Sequence, residues 1–227
     1  MRKNPKIIEE IVHENSFATL VTRTGESVTA SHLPLLWHGN GSDNGIIQGH
    51  MARNNSQWHD FALNKEVLAI FTGCHGYISP TWYSVYPAVP TWNYTAVHIY
   101  GAATIIQDPV SVRALLKRMV AIFDHDPSSA WPKNQSHETL ITEMVPNIVT
   151  FEIAISRIEA KAKLSQNRKP DEQQNIVSML KSSTQNESKA LAHFMETFFL
   201  AYSRSTCKWM LLSSSGRESS ESKLLQQ

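Results

Sequence analysis

The stretch "VPTWNYTAVHIYGAATII", residues 89–106, constrains the possible folds of this chain more than any other segment. β-Branched and aromatic residues occupy both of the faces that a strand presents alternately to its two sides. A strand that is apolar on both faces lies inside a barrel or at a subunit interface. These two locations are compatible in a dimeric barrel, so the segment predicts a strand with both kinds of neighbour.

Five other segments are strand-like, and few of the helical segments lie between strands. Strand patterns occur at residues 17–22, 27–37, 46–50, 66–73 and 148–164, and helical patterns at 5–14, 109–123, 137–145, 170–182 and 186–202. Many strands with few intervening helices favour an α+β, mainly β barrel over alternating βαβ units.

Local signals set expectations at single residues. Gly25 lies in "RTGE", where a hairpin turn needs it, and Gly101 is expected to mark a bend in the long strand. Pro34 has no amide hydrogen, so the strand that contains it is predicted to be an edge strand or to be bulged there. Asp108 is predicted to cap the helix that Pro109 begins.

Composition excludes several classes of protein. The chain has 227 residues, 41% of them hydrophobic, and a formal net charge of +1, which gives no global attraction to nucleic acid or membrane. Cys74 and Cys207 are the two cysteines, so a disulfide scaffold is not expected. With no apolar leader or membrane-spanning stretch, a cytoplasmic protein is predicted.

The corner "GHMARNNSQW", residues 49–58, places many hydrogen-bonding side chains between a strand and a short helix. Asn54 or Asn55 can cap that helix, and His50 and Arg53 could together face one phosphate. The alternative is structural: Asn55 caps, Arg53 pairs with a surface carboxylate, and Trp58 anchors the helix in the core.

The run "KAKLSQNR", residues 161–168, follows a strand and ends in amide and basic side chains. Paired amide donors and acceptors suit the polar edge of a heteroaromatic ring. Five basic residues and one acid lie within 157–169, a local charge of +4 that favours an anionic partner. The alternative is a solvated strand end that caps the next helix.

Metal and nucleophile signals are weak. The ten histidines show no zinc-type pairing, and Cys74 has no CxxC partner, so no metal site is predicted. His32 follows Ser31 in "SHLPL", where a lone strand histidine is usually structural. The chain has no GxSxG, Walker or GxGxxG motif. In 89–101, aromatic residues with polar handles share one strand face, as in many interfaces.

In order along the chain, "SHLPLL", "GHMARNNSQW", "VLAIFTG", "YISPTWY", "VPTWNYTAVHIYG" and "KLSQNR" closely resemble the PaiB family of FMN-binding negative transcriptional regulators. The resemblance covers about residues 5–182 and departs from the family pattern at Cys74, Gly76 and Ala160. It implies a six-stranded antiparallel split β-barrel with flanking helices, which forms a homodimer with FMN at the subunit interface.

The resemblance also implies site residues. Those for the cofactor are Ala30, Ser31, His32, Leu33, His50, Met51, Arg53, Asn55, Lys163, Ser165, Gln166, Asn167 and Arg168. Those for the dimer interface are Thr91, Trp92, Asn93 and Tyr94. No catalytic residue is assigned. Arg53 is the phosphate candidate, and Lys163 with the run 165–168 would approach from the other side, from the second subunit.

Three functions follow from this resemblance. The first is an FMN-binding negative transcriptional regulator, with DNA as a possible partner, although the helices 170–182 and 186–202 lack the basic face of a DNA reader. The second is a flavin-dependent oxidoreductase, in which the flavin ring supplies the chemistry. The third is a haem-binding or haem-degrading protein. The expected organisation is a domain at 1–182, a helix at 183–205 and a disordered tail at 206–227.

Overall fold

A computed structural model describes residues 5–39, 45–63, 66–85, 87–125 and 135–202 of the chain. The predicted tail at 206–227 and the end of the predicted helix at 183–205 lie outside these residues. Within the described part, the elements closely follow the predicted segments, and helix 186–202 packs against the rest of the fold.

Six antiparallel strands form a closed ring. They are β1 (Phe17–Thr24), β2 (Ser27–His38), β3 (Ile46–Ala52), β4 (Val67–Ile78), β5 (Thr91–Ile105) and β6 (Ile148–Lys163). Their order around the ring is β1-β2-β3-β6-β5-β4. This arrangement confirms the predicted α+β, mainly β fold with a six-stranded antiparallel split barrel and flanking helices.

Within the residues that the structure describes, five α-helices accompany the ring. They are α1 (Pro5–Glu14), α2 (Pro109–Phe123), α3 (Gln135–Met144), α4 (Pro170–Lys181) and α5 (Asn186–Tyr202). Asp108 caps α2 as predicted, because its carboxylate accepts from the amides of Val110 and Ser111. Of the helices that the structure describes, none has the length and apolar character needed to cross a bilayer.

The core consists mainly of two clusters, one inside the barrel and one between the helices α4 and α5 and the barrel. Phe71, Val97 and Phe151 are fully buried inside the ring, and three apolar side chains of α1 join the same cluster. A second cluster joins α4 and α5 to Ile78 and Leu164, at the ends of β4 and β6. The helices α4 and α5 therefore cover the part of the barrel where β4 and β6 end.

Two predicted glycine positions are structurally demanding. Gly25 has a φ of +58°, in the turn that joins β1 to β2. Gly101 lies where the β5–β6 register shifts, and a Cβ atom there would be 2.2 Å from the carbonyl oxygen of Ala154. Strand β4 runs beyond its predicted end to Ile78, through a bulge between Thr72 and His75.

The expectation for Pro34 is confirmed in its first form, because β2 becomes an edge on its β3 side at this residue, although it is not bulged there. Residues 27–34 of β2 pair with β1, and residues 35–38 pair with β3. Leu35 N–H donates to Ser16 on the β1 side, so alternation directs the amide position of Pro34 toward β3. Proline has no N–H to give there, and the β2–β3 ladder stops at Leu35–Gly49.

Candidate functional site

Beyond the end of this ladder, β2 and β3 separate, and we call the space between residues 30–34 of β2 and the corner at 50–55 the β2–β3 opening. β3 continues along β6 instead, with Ala52 opposite Ile148. By the same alternation, the amides of Ala30 and His32 face the opening rather than β1. The backbone N–H groups that would be hydrogen-bonded in a continuous β2–β3 ladder therefore face the opening.

Asn55 bridges the opening. Its Nδ2 donates to Ser31 Oγ at 2.8 Å, and its Oδ1 accepts from the amide of Gln57 at 3.0 Å. Asn55 is thus the predicted cap, although the helix it caps, Ser56–Ala62, is a 3-10 helix. Because Ser31 Oγ already accepts from Asn55, its own hydroxyl proton is left without an acceptor among the described residues.

Gln57 is a buried structural residue that no local sequence pattern singles out. It is 1% exposed, and its Nε2 donates to the carbonyl oxygens of Leu20 and Thr29. This side chain ties the 3-10 helix to both β1 and β2, and so sets the position of Asn55. Its place two residues after the cap gives no indication of this burial, which depends on long-range packing.

Arg53 is exposed yet anchored. Its Nε donates to the carbonyl oxygen of Pro146 at 2.6 Å, and one Nη donates to that of Ile148 at 2.7 Å. The predicted alternative partner, a surface carboxylate, is therefore replaced by backbone carbonyls. These two bonds use two of the five guanidinium N–H donors and leave the others for a ligand.

The structure does not bring His50 and Arg53 together. The His50 ring lies on the outer side of β3, with Nδ1 3.3 Å from Met119 Sδ of α2, and burial lowers its pKa. Met51 points inward and is 2% exposed. His32 is exposed beside Thr19 Oγ1, 3.0 Å away, whereas Leu33 packs in the core.

The run at 165–168 is an ordered turn between β6 and α4. Ser165 has a φ of 60° and is 7% exposed, and its hydroxyl exchanges hydrogen bonds with the amide group of Asn93. Gln166 folds back onto Leu164 N and Ala162 O. Strained backbone and a buried polar pair together give this turn a defined shape.

The remaining side chains of this run face outward. Asn167 is exposed, and the Arg168 guanidinium lies over the Tyr83 ring, 4.0 Å from its centroid. Lys163 donates to the Thr91 hydroxyl. The turn thus offers basic and aromatic groups on one surface, while its inner groups serve the fold.

One protomer brings only two of the three predicted segments together. Segments 30–33 and 50–55 meet at the β2–β3 opening, where β6 begins at Ile148. Lys163 lies at the far end of this 16-residue strand, opposite Tyr94 of β5. A site that uses all three segments therefore requires a second protomer.

The predicted interface residues lie on two faces of β5. Trp92 is 54% exposed and Tyr94 half-buried, on the outer face, where Tyr77 and His75 of β4 neighbour Trp92. Asn93 is fully buried on the inner face, so its side chain supports the 165–168 turn and is not offered to a partner. Thr91 lies on the same inner face as Asn93, at the first position of β5.

A haem iron would need a histidine ligand, and the four histidines considered for this role lie on four different strands. His32 is exposed on β2, His50 of β3 lies under α2, His75 is at the β4 bulge, and His98 of β5 is opposite Ile70. Nor does the described part of the chain hold any set of three or more His, Cys, Asp or Glu residues arranged for a metal ion.

Sequence comparison places the chain among flavin-related proteins. Residues 1–157 match the family model described as "Putative FMN-binding domain". The chain is 37% identical over 194 residues to the Bacillus subtilis protein "Protease synthase and sporulation protein PAI 2", which covers 85% of this chain and 92% of that protein. It is also 26% identical over 228 residues to an uncharacterised protein of Emericella nidulans, covering 83% and 91%.

Comparison with solved structures concerns the fold alone. A crystal structure of a "putative 5-nitroimidazole antibiotic resistance protein" from Bacteroides thetaiotaomicron superposes with a TM-score of 0.52. The sequences are 12% identical, and the match covers 70% of this chain and 84% of that chain.

Proposed function

The chain belongs to the FMN-binding PaiB family, and we propose that it is a homodimeric, cytoplasmic negative transcriptional regulator with FMN in the β2–β3 opening. The observation that carries the proposal is the interrupted β2–β3 ladder, with Ser31 and Asn55 bridging it. FMN, when bound, supplies a redox-active ring.

The donors at the opening fit the chemistry of FMN. A flavin ring and its ribityl chain are rich in acceptors, and the opening offers the Ser31 hydroxyl proton and the amides of Ala30 and His32. These groups lie along one strand edge, as an extended ligand requires. We propose that this edge orients the ring and the ribityl chain.

Arg53 is our candidate for the phosphate. Its two bonds to backbone carbonyls hold the guanidinium in place, so little side-chain entropy is lost when an anion binds. The remaining donors match the fork geometry that phosphate accepts. His50, which faces α2, is not part of this proposal.

We further propose that Lys163 and the turn at 165–168 reach the flavin from the partner protomer. The support is geometric, because these residues lie at the opposite end of β6 from Arg53 and carry positive charge and amide groups. The exposed outer face at Trp92 and Tyr94 is the proposed contact between protomers.

Regulation through direct DNA contact has little support in the helices. In α4 and α5, Asp171, Glu187 and Glu196 interrupt any basic face, and Lys181 donates to Glu196 at 2.6 Å. The name of the Bacillus subtilis relative, which refers to protease synthase and sporulation, supports a role in control of expression. We propose that flavin occupancy is what the regulator senses.

The site is tested by comparing FMN with riboflavin, which lacks the phosphate. Arg53→Ala is expected to weaken FMN binding by about 1–3 kcal/mol, or about 5- to 150-fold, and to leave riboflavin binding unchanged. Titration of flavin fluorescence measures both affinities. An equal loss for the two ligands, or no loss for FMN, would contradict the phosphate assignment.

The composite site is tested in the same assay with Arg168→Ala. If each site uses Arg53 of one protomer and Arg168 of the other, a mixed dimer of the two variants keeps one intact site. Unfolding and refolding the variants together should then restore tight FMN binding that neither variant shows alone. Failure to restore it, or a monomer by light scattering, contradicts the shared site.

The regulatory role has its own readout. Release of repression of a reporter gene on flavin binding is the expected result. A salt-dependent shift of promoter DNA by the purified protein would show that the contact with DNA is direct. Bleaching of the bound flavin by a reduced nicotinamide, without any effect on transcription, would instead favour the oxidoreductase.

A further inference from the structure

A cavity of about 500 Å³ lies between α1, α5 and the bulge in β4. Its volume falls within the range of small-molecule sites, and none of its lining residues belongs to the three segments assigned to FMN. α5 supplies one wall, from Asn186 to Thr197, and α1 together with the following Asn15 supplies another.

The lining of the cavity is acidic. Glu10 and Glu14 of α1 and Glu187 of α5 line it with exposed side chains. The other titratable lining residues are His75, His193 and Cys74, and no lysine or arginine is among them. The carboxylates have no ion-pair partner within the described part of the chain. Such a site disfavours phosphates and the propionates of haem, and it attracts cations.

A buried hydroxyl lies at the floor of the cavity. Thr95 is 1% exposed, and its Oγ1 has the Sγ of Cys74, 3.9 Å away, as its partner, which is a weak one. A Cβ at Gly73 would lie 2.1 Å from that Oγ1, so glycine at this position makes room for the Thr95 hydroxyl. Ile11 and Phe194 add apolar wall.

We propose that this cavity binds a small organic cation, namely a protonated amine with a short apolar body. The carboxylates of Glu10, Glu14 and Glu187 neutralise the ammonium group, and the Phe194 ring and Ile11 cover the apolar part. An amine needs no rigid ligand geometry, in contrast to a metal ion, for which the described residues form no suitable set.

The thiol of Cys74 can be used to measure the properties of this cavity. This residue lines the space, and burial raises the pKa of its thiol, with the Glu14 carboxylate adding to the effect. In a Cys207→Ser background, Cys74 is the one remaining cysteine of the chain. Its rate of reaction with charged thiol reagents therefore measures the electrostatic potential in the cavity.

The first test compares two methanethiosulfonates of similar size, one carrying a trimethylammonium group and one a sulfonate. The cationic reagent is expected to react faster. Glu10→Gln, Glu14→Gln and Glu187→Gln should each lower the cation-to-anion rate ratio by about two- to sixfold, the effect of removing one charge at a separation on the order of the Debye length. Glu9→Gln is the control, because Glu9 pairs with His13 and does not line the cavity.

The second test asks whether an amine occupies the space. Phenethylamine at millimolar concentration should slow modification of Cys74 by a neutral thiosulfonate, and phenylpropionate, a matched anion, should not. Protection should weaken in Glu187→Gln, with thermal unfolding used to verify that the variant is folded. Absence of protection, a rate ratio insensitive to all three glutamates, or a Cys74 that no reagent reaches would each overturn the proposal.

Discussion

Replacement of Asn55 separates the two roles that this residue has at the β2–β3 opening. Its Oδ1 caps the 3-10 helix at Gln57 N, and its Nδ2 holds Ser31 Oγ. Asn55→Ala removes both bonds. Loss of a cap costs about 1 kcal/mol and loss of a hydrogen bond about 1 kcal/mol, so the free energy of unfolding should fall by about 2 kcal/mol.

Asn55→Asp is the matched variant. Aspartate caps as well as asparagine, and the Ser31 hydroxyl can rotate to donate to the new carboxylate. The free energy of unfolding should therefore stay within about 0.5 kcal/mol of the wild type. FMN affinity should nevertheless fall by about fivefold or more, because the Ser31 proton is consumed and a negative charge is added.

Urea unfolding and flavin titration of the two variants decide the matter. The expected pattern is a loss of both stability and affinity in Asn55→Ala, but a loss of affinity alone in Asn55→Asp. If Asn55→Asp binds FMN as tightly as the wild type, Ser31 does not contact the flavin. If Asn55→Ala is as stable as the wild type, the bridge does not hold the opening together.

Two further predictions concern stability. Burial lowers the pKa of His50, and burial with the nearby Arg118 and His13 charges lowers that of His38, both from 6.5. At acidic pH the unfolded chain therefore binds more protons than the folded chain. The free energy of unfolding should keep its full value above about pH 6.5 and fall as the pH drops below that value. His50→Gln should reduce this pH dependence, as measured by urea unfolding. Gly101→Ala should lower the thermal midpoint markedly, because its Cβ would meet the Ala154 carbonyl oxygen at 2.2 Å, whereas Ala102→Ser, at an exposed neighbouring position, should not.

Local patterns along the chain were sufficient to predict most elements. Helical spacing with Asp108 and Pro109 located α2, and Gly25 located the first turn, because capping and turn chemistry act within a few residues. The alternation in β5 correctly separated an inner face, with Val97 and Ile99, from an outer aromatic face. No local pattern indicates the acidic cavity, because Glu10 and Glu187 are distant in sequence.

The amino-acid sequence by itself determined the strands, the helix starts and the membership of an FMN-binding family, since these depend on neighbouring residues and on ordered motifs. Only the tertiary structure decided which polar side chains meet. Ser31 and Asn55 come together because the β2–β3 ladder ends at Pro34, whereas Arg53 and Arg168 are separated by the length of β6. Strand register and barrel closure are properties of the whole ring, and no local pattern encodes the distances that result.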